Sequence, residues 1–358
     1  MKFDEFALEK LYALVESGIQ KKISPGFAVG FLQKERIETN YFGNFTYDIS
    51  SSSIEDNSLF DLASLTKVFT ATCILLAISE NKCSLESNLK DILPSCAFEE
   101  ITIRQLLTHT SGLRLSLGSQ VKYGKIQSMQ NALNLGFEKK HQNRVYYSDQ
   151  GYYLLGLVLE KIYKMPLDQI MAELLFVPLG MKNTLFCPSS EKKMNCVPTE
   201  IIENQIIQGK THNEFTRLIG GVAGHAGLFS NLGDLLLFGK AWLNNDFEVR
   251  KISNELYKGA TVSQTSLFVN DTGIDNNWNF GYGWRVDCRQ KLGSKLPKNA
   301  IEITGFTGGQ ITLIPDENIV IVILSNRTYP KRGEKKPWEA FQAEINNETY
   351  TSEASSEV

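Results

Sequence analysis

The sequence lacks the residue patterns typical of metal sites, disulfide frameworks and nucleic-acid binding. Its 358 residues include four histidines, none of them four positions apart, and six cysteines with no Cys-x-x-Cys pair. We therefore expect no bound metal, no other cofactor and no disulfide framework. Acidic and basic residues are mixed along the chain and leave a net charge of -3. Because no extended positive field exists for a phosphate backbone, nucleic acid is not an expected partner.

Long apolar runs are absent as well. No stretch approaches the roughly 18 uninterrupted apolar residues that a membrane-spanning helix requires. Residues 1–6 carry acidic side chains where a signal peptide would carry basic ones, and no apolar core of signal-peptide length follows them. The sequence therefore predicts a cytoplasmic protein without a membrane span. It gives no indication of oligomeric state.

Length and periodicity indicate a large mixed fold. A chain of 358 residues that is 42% hydrophobic suffices for one large or two moderate domains. An amphipathic helix comes first, and a predicted hairpin follows at residues 27–32 and 36–45. Strand signals return at residues 310–314 and 319–325, on either side of a turn sequence. Between these strand-bearing ends, residues 62–187 are mostly helical in pattern.

That order predicts an α/β (α+β) fold with a helical insertion. One αβ domain would combine residues 1–60 with about 205–350, and a helical domain would cover about 61–204. A catalytic cleft is expected between the two domains. We interpret the basic run 331–336 as a solvated loop before a terminal helix, and residues 351–358 as a flexible tail.

One pair of residues combines a nucleophile with a base. Ser64 and Lys67 stand at the head of an apolar stretch, residues 68–78. In a helix, this spacing puts the serine hydroxyl and the lysine amine one turn apart on the same face. A serine hydroxyl is a poor nucleophile at neutral pH, and an amine that burial keeps neutral can take its proton as attack begins. The pair indicates acyl transfer.

The same motif also occurs elsewhere in the chain, so spacing alone does not establish a catalytic pair. The five copies are Ser64/Lys67, Ser79/Lys82, Ser119/Lys122, Ser189/Lys192 and Ser190/Lys193. Four of them have polar, turn-like surroundings, and we interpret these as solvated surface. Only the Ser64 copy heads an apolar segment, where the pair can be desolvated and helix N-terminal amides point outward.

A tyrosine and an aspartate precede another apolar helix. Tyr147 and Asp149 would project from a connection between two helices. Tyr147 is either a core aromatic residue with a satisfied hydroxyl or, beside an amine, a proton relay. Asp149 is either part of the site or simply the cap of the following helix.

Two glycine-containing segments are further candidates. Residues 303–309 lead into a predicted strand, and their glycines allow a ligand to approach the backbone closely. The alternative is an edge strand with a bulge. Residues 220–230 lack the G-x-G-x-x-G spacing of a dinucleotide site. We interpret them as a tight turn that positions His225, which is either structural or lines the cleft.

Together these motifs resemble the serine β-lactamase and penicillin-binding protein superfamily. Ser64-x-x-Lys67, Tyr147-Ser148-Asp149 and Thr304-Gly305 occur in the order of that superfamily. Specifically, they look like the class C β-lactamase-related branch, which includes D,D-carboxypeptidases, D-aminopeptidases and esterases. Supporting segments lie at residues 106–113, 220–230 and 325–327, so the resemblance spans about residues 20–330.

The resemblance implies a fold, a mechanism and a set of site residues. The fold is β-lactamase/transpeptidase-like: an antiparallel sheet flanked by terminal helices, with an inserted all-helical domain. Ser64 would be the acylated nucleophile, Lys67 its proton acceptor, and Tyr147 the general base or relay that also protonates the leaving group. The backbone N–H groups of Ser64 and Phe306 would form the oxyanion hole. Residues expected to contact the substrate, a small molecule or short peptide, are Asp149, His225, Ile303, Thr304 and Gly305.

Two positions depart from the superfamily pattern. Asp149 stands where an asparagine often binds the substrate amide, and an acid near Lys67 favours the charged ammonium over a neutral base. Ile303 stands where the superfamily places lysine or histidine to bind a substrate carboxylate. Isoleucine offers neither charge nor a hydrogen bond. Acylation chemistry can survive this change, whereas carboxylate recognition is put in question.

Three functions are consistent with the sequence. The leading one is an active serine hydrolase acting on esters or D-amino-acid-containing amides, because Ser64, Lys67 and Tyr147 are all present. The second is a β-lactamase or D,D-carboxypeptidase, which needs another cation to supply what Ile303 lacks. The candidates for that cation are Arg285, Arg327 and protonated His225. The third is a non-catalytic ligand sensor or scaffold on the same fold.

Overall fold

A seven-stranded antiparallel sheet forms the centre of the computed structural model, which describes residues 5–248, 250–270 and 278–350. Its spatial order is β3-β4-β5-β6-β7-β1-β2, so the first strand of the chain pairs with the last. The strands are β1 (Gly26–Gln33), β2 (Arg36–Gly43), β3 (Asn279–Phe280), β4 (Arg285–Val286), β5 (Ile301–Thr304), β6 (Gln310–Ile314) and β7 (Ile319–Ser325).

Helices surround this sheet. The helices of more than ten residues in the described part of the chain are α1 (Glu5–Gln20), α2 (Thr66–Ser79), α3 (Asp149–Tyr163), α4 (Leu232–Asn244) and α5 (Lys335–Thr349). Shorter helices are Leu89–Ile92, Ile103–Leu107, Leu117–Gln120, Lys125–Asn134, Leu167–Met171, Glu214–Ile219, Asn254–Thr261 and Arg289–Leu292. Short strands outside the main sheet are Phe60–Asp61, Arg144–Val145, Leu185–Phe186, Glu200–Ile202, Gln205–Ile207, Leu228–Ser230 and Val269–Asn270.

Both faces of the sheet are covered, which explains why its central strands are apolar throughout. Side chains alternate along each strand. Val29 and Ile323 pack in a cluster with residues of the terminal helices α1 and α5. Ala28 and Leu324 face the opposite way, into a larger cluster that includes residues of α4. Strands buried on both faces have no polar side to alternate with the apolar one.

Helix α2 lies inside the molecule and joins the helical segment to the sheet layer. Its residues from Thr66 to Ala77 are all buried. One side packs on α3. On another side the ring of Phe69 stacks on Phe238 of α4, with centroids 4.1 Å apart. The turn that precedes α2 is therefore held firmly against both layers.

The predicted fold class is confirmed by the antiparallel sheet, the terminal helices on one face and the helices between β2 and β3. The strands of the hairpin lie within about two residues of their predicted bounds, and most of the helices outside the termini lie in the segment 62–187 that was predicted to be helical. The domain boundaries stay a prediction, and one continuous hydrophobic cluster contains both sheet residues such as Ile311 and helical residues such as Leu106. The predicted tail at 351–358 lies outside the described residues. None of the described helices is long and apolar enough to cross a bilayer.

Candidate active site

Ser64 lies in a single 3-10 turn, Ala63–Leu65, that leads directly into α2. Ala63 adopts a φ of +45°, which costs energy for a residue with a Cβ. Two hydrogen bonds hold the turn in place. The N–H of Ala63 donates to Asp61 Oδ1 at 2.8 Å, and the hydroxyl of Thr307 donates to the Asp61 carbonyl at 2.6 Å. The strained turn is thus fixed to the loop that follows β5.

The other four copies of Ser-x-x-Lys do not line the cleft at Ser64. Ser119, Ser189 and Ser190 are exposed, and Ser79 is half-buried near the end of α2. The predicted surface location is confirmed for Ser119, Ser189 and Ser190, and Ser79 is less exposed than predicted.

Lys67 is buried next to Ser64 and places its amine among three acceptors. Its side chain is only 1% exposed. Nζ lies 2.9 Å from Ser64 Oγ, 3.0 Å from the His225 carbonyl oxygen and 2.8 Å from Asp149 Oδ1. An ammonium has three N–H donors and no acceptor, so these three oxygens match its protonated form.

The charges at this position favour an ion pair. Burial opposes the charged form of Lys67, but the charges of Asp149 and Tyr147 and hydrogen bonds with both outweigh it and raise the Lys67 pKa. Burial also opposes the carboxylate of Asp149, and the Lys67 ammonium more than offsets it, so the Asp149 pKa is lowered. The neutral amine expected from burial of Lys67 is therefore corrected to a cation in the free protein.

Asp149 is the first residue of α3 but does not cap it. The cap is Ser148, whose hydroxyl accepts a hydrogen bond from the Gly151 N–H at 3.2 Å. The carboxylate of Asp149 instead turns toward Lys67. The side chain is 38% exposed, and its contact with a substrate stays a prediction.

Tyr147 lines the cleft and lies against the amine. Lys67 Nζ is 4.9 Å from the centroid of the Tyr147 ring, close enough for a cation–π contact. His109 packs against the same ring with centroids 4.6 Å apart, and its Nδ1 accepts a hydrogen bond from the Ser148 N–H at 3.0 Å. Burial lowers the pKa of His109 to about 3, which keeps the ring neutral and Nδ1 an acceptor.

His109 was missed as a site residue by the sequence analysis, where it occurred only within the supporting segment 106–113. It has a φ of +58°, and its carbonyl accepts a hydrogen bond from the Tyr146 N–H. A single histidine thus holds the backbone on both sides of Tyr147. No spacing rule in the sequence connects residues 109 and 147, because the contact is tertiary.

The oxyanion hole stays a prediction, and the two residues that would supply its amides border the same cleft. Ser64 and Phe306 both line the cleft, and within the described residues neither amide donates to a backbone carbonyl. Gly305 brings the two segments together. A Cβ at that position would lie 2.6 Å from the carbonyl oxygen of Leu62 and 3.1 Å from a terminal carbon of Leu65. The absence of a side chain at residue 305 therefore allows the end of β5 to approach the turn of Ser64.

Ile303 does not contact the cleft, contrary to expectation. Its side chain is 3% exposed and belongs to the large hydrophobic cluster, whereas its neighbour Thr304 lines the cleft. Alternation along β5 explains the difference, because residues 303 and 304 face opposite sides of the sheet. β5 is also an interior strand, paired with β4 and β6, rather than the edge strand considered as an alternative.

Arg285 on the neighbouring strand β4 supplies a cation at this place. Its Nη2 donates to Thr304 Oγ1 at 3.0 Å, and its Nε lies 2.5 Å from Glu302 Oε1. The side chain is 6% exposed, lines the cleft, and leaves Nη1 without a hydrogen-bond partner among the described residues. The guanidinium therefore borders the cleft as the partner of a buried acid, and its Nη1 atom is itself buried.

The imidazole of His225 is structural. It is fully buried, and its Nε2 lies 3.1 Å from Thr216 Oγ1. Burial lowers the pKa of His225 to about 4, so the ring is not the cation considered for substrate binding. The expected contact between His225 and the substrate is corrected in a specific way: the residue contributes its carbonyl oxygen, which accepts from Lys67.

The cleft that contains Ser64 has a volume of about 180 Å³ and is bordered by basic side chains. Arg285, Arg327 and Lys335 line it, together with the acid Glu339. Lys335 begins α5 and lies 5.3 Å from the centroid of the Phe306 ring. Residues 331–336 are exposed, as interpreted, but the terminal helix already begins at Lys335, which also borders the cleft.

The described residues contain no group of three or more His, Cys, Asp and Glu side chains that could hold a metal ion. All six cysteines are free. The chemistry available at the cleft is that of a serine, a lysine, a tyrosine and backbone amides.

The sequence is similar to a known protein family and to named relatives. The Beta-lactamase family model matches residues 11–344. A protein of Escherichia coli strain K12 provisionally named D-alanyl-D-alanine carboxypeptidase is 27% identical over 312 residues, which cover 76% of this chain and 70% of the relative. A β-lactamase of Providencia stuartii is 28% identical over 307 residues, covering 77% and 76%.

A solved structure supports the fold. The hydrolase EstCE1, which has promiscuous acyltransferase activity, superimposes with a TM-score of 0.74 at 17% identity, covering 94% of this chain and 97% of that one. Likeness at this identity shows a shared architecture. With a family model that matches nearly the whole chain and a nucleophile turn in the expected place, this chain belongs to the Beta-lactamase family, within the superfamily of serine β-lactamases and penicillin-binding proteins.

Proposed function

We propose that this protein is a serine hydrolase that forms an acyl-enzyme on Ser64, acting on esters or D-amino-acid-containing amides. The observation that carries the proposal is the 2.9 Å contact between Ser64 Oγ and the buried amine of Lys67. Relatives named as a D-alanyl-D-alanine carboxypeptidase and a β-lactamase, and a neighbour that is a hydrolase, are consistent with acyl transfer.

In the acylation step, Ser64 Oγ attacks the carbonyl carbon of the substrate. Because Lys67 is a cation in the free protein, we infer that Tyr147 reacts as a phenolate that the ammonium stabilises, and that this phenolate takes the proton of Ser64. The amides of Ser64 and Phe306 bind the developing oxyanion. Tyr147 then returns the proton to the leaving group as the carbon–heteroatom bond breaks, and a water molecule hydrolyses the Ser64 ester.

A second candidate function is favoured by Arg285. Its hydrogen bond to Thr304 places a guanidinium at the border of the cleft, whereas this chain has the uncharged Ile303 where the superfamily has lysine or histidine. A substrate with a free carboxylate, as in a D,D-carboxypeptidase or β-lactamase reaction, would pair with that guanidinium. In this second function the substrates are limited to those with a free carboxylate, and the acylation step is the same.

Intact-protein mass spectrometry tests the proposal. The protein is incubated with a penicillin and, separately, with an uncharged p-nitrophenyl ester. Ser64→Ala removes the nucleophile, and Ser119→Ala is the matched control because Ser119 belongs to an exposed copy of the same motif. We expect ester turnover by the parent and by Ser119→Ala, and none by Ser64→Ala.

The outcomes separate the three functions. A covalent penicillin adduct on the parent that is absent from Ser64→Ala supports carboxylate recognition and the second candidate. Ester turnover without a penicillin adduct supports an esterase-like hydrolase. Equal ester turnover by Ser64→Ala and the parent would contradict the proposal. If the parent forms no penicillin adduct and does not hydrolyse the ester, a ligand sensor or scaffold is favoured.

A further inference from the structure

A second cavity lies apart from the cleft at Ser64 and is larger than it. Its volume is about 420 Å³, against about 180 Å³ for the cleft. The two share no lining residue. We call it the basic cavity, defined by the side chains of Lys193, Lys210 and Arg217 together with the buried apolar residues Pro188 and Phe229.

The basic cavity carries positive charge that the protein does not neutralise. Its lining contains three basic side chains and no acidic one among the described residues. Lys193, Lys210 and Arg217 form no ion pair within the described ranges, unlike surface lysines such as Lys139. Asp168 acts electrostatically on Cys187 at the edge of the cavity but does not line it. Three unneutralised cations around one cavity favour an anionic occupant.

The guanidinium of Arg217 is fixed by hydrogen bonds, and the aliphatic part of Lys193 packs against the backbone. Arg217 Nη1 donates to the carbonyl oxygens of Thr211 at 2.6 Å and His212 at 3.1 Å. The stem of Lys193 lies over Gly209, where a Cβ would come within 2.4 Å of Lys193 Cγ. A preorganised cation loses less conformational entropy on binding than a free one.

We propose that the basic cavity binds a small molecule with a doubly charged oxyanion, of the phosphomonoester class, joined to a small apolar group. Arginine and lysine are the residues that bind phosphate oxygens, the first through its planar fork and the second as a point charge. Pro188 and Phe229 provide the apolar surface for the organic part. The volume lies within the range of about 300 to 1,000 Å³ that is usual for small-molecule sites.

The cavity is joined to the nucleophile turn by a chain of hydrogen bonds. Arg217 holds the carbonyl of His212, and the His212 N–H donates to Asp61 Oδ2 at 2.5 Å. The other oxygen of Asp61 accepts from Ala63, the residue before Ser64. Binding in the basic cavity does not require chemistry at Ser64, so the proposal is independent of the proposed function.

Isothermal titration calorimetry at constant ionic strength tests the proposal, with phenyl phosphate as the probe and phenol as its uncharged counterpart. We expect the parent to bind phenyl phosphate and not phenol. The double variant Lys193→Ala/Lys210→Ala should raise the Kd at least about tenfold, because two charged contacts to the phosphate are lost. Lys192→Ala/Lys251→Ala, which removes two lysines outside the cavity, should leave the Kd within about twofold.

A third variant distinguishes the two cavities. Lys335→Ala lowers the charge of the cleft at Ser64 and should not change the Kd. If Lys335→Ala weakens binding while the cavity variant does not, the anion binds at Ser64 and the proposal is wrong. Equal weakening by both double variants would show non-specific attraction and also overturn it, as would a parent that does not bind. Equal melting temperatures of the variants establish that each is folded.

Discussion

The carboxylate of Asp149 lies 2.8 Å from the amine of Lys67, and the same amine lies 2.9 Å from the hydroxyl of Ser64. The group beside the Ser64 hydroxyl is therefore the ammonium of Lys67, which forms an ion pair with Asp149. Asp149 and Tyr147 raise the pKa of Lys67 in spite of its burial. The proposed mechanism needs Lys67 and Tyr147 together to hold one proton fewer than an ammonium and a neutral phenol, so hydrolysis should become faster as the pH rises and this pair loses a proton.

Asp149→Asn tests that dependence. Loss of the negative charge removes the main cause that raises the Lys67 pKa, so the amine should lose its proton at lower pH. We expect the ascending limb of kcat/KM against pH, measured with an activated ester, to move about one unit or more toward acid. Glu99→Gln removes an exposed acid far from the cleft and should leave the profile in place. A limb that stays fixed or moves toward alkaline pH in Asp149→Asn would contradict the assigned role.

Gly305→Ala should impair catalysis through the backbone. The added Cβ would lie 2.6 Å from the carbonyl oxygen of Leu62, so the strand end must move away from the Ser64 turn. Displacing the Phe306 amide from the oxyanion position should lower kcat by on the order of 100-fold, corresponding to about 3 kcal/mol. Steady-state kinetics with an activated ester would measure the loss.

Gly309→Ala is the matched control for this substitution. A Cβ at that position meets terminal carbons of Leu65 at 3.4 Å and of Leu324 at 3.7 Å, which are ordinary van der Waals distances. We expect its kcat to stay within about threefold of the parent, since the neighbouring side chain can adjust. Similar losses in the two variants would indicate a general packing effect in place of a displaced amide.

The sequence predicted the framework of the site because its local patterns are strong. An i, i+3 pair at the head of an apolar helix places Ser64 beside Lys67 whatever surrounds it. The strands at 310–314 and 319–325 were predicted with the bounds that the structure has, since apolar runs flank a clear turn sequence. The catalytic roles of Ser64, Lys67 and Tyr147 stay predictions until the kinetic tests are made.

Other features depend on contacts that no local pattern contains. Residues 301–304 alternate apolar and polar, which puts Ile303 and Thr304 on opposite faces, but both faces of the sheet are covered and the pattern does not indicate which one borders the cleft. Arg285 reaches Thr304 from a two-residue strand 19 positions earlier in the chain. His225 acts through its carbonyl oxygen, an atom that every residue type has. Such contributions become visible only in three dimensions.

Buried neutral histidines should make stability depend on pH. Burial lowers the pKa of His109 to about 3 and that of His225 to about 4, from an ordinary value of 6.5. As the pH falls below 6.5, the unfolded chain binds protons that the folded protein does not, so the free energy of unfolding decreases. From pH 7 to pH 5 each histidine should reduce it by about 2 kcal/mol. The lowered pKa of His212, caused first by burial, acts in the same direction.

Urea unfolding at pH 7 and pH 5 measures this effect. His225→Gln should lose about 2 kcal/mol less stability between the two pH values than the parent does, even if it is less stable at both. His141→Gln, which removes a histidine beside the surface acid Glu138, is the matched control and should behave as the parent. An unchanged pH dependence in His225→Gln would show that this ring is protonated in the folded protein.

Arg285 should determine whether a substrate carboxylate is recognised. Removing it alone would leave the fully buried Glu302 without its ion-pair partner, so the informative variant is Arg285→Gln/Glu302→Gln, which removes both charges. For an ester that carries a carboxylate, we expect KM to rise about tenfold or more in this double variant, because a charged hydrogen bond is lost. For an uncharged ester of the same size KM should stay within about twofold.

Glu302→Gln alone keeps the guanidinium and should retain the preference for the carboxylate. If the double variant discriminates between the two esters as the parent does, the carboxylate is bound elsewhere, and Arg327 and Lys335, which border the same cleft, become the residues to replace.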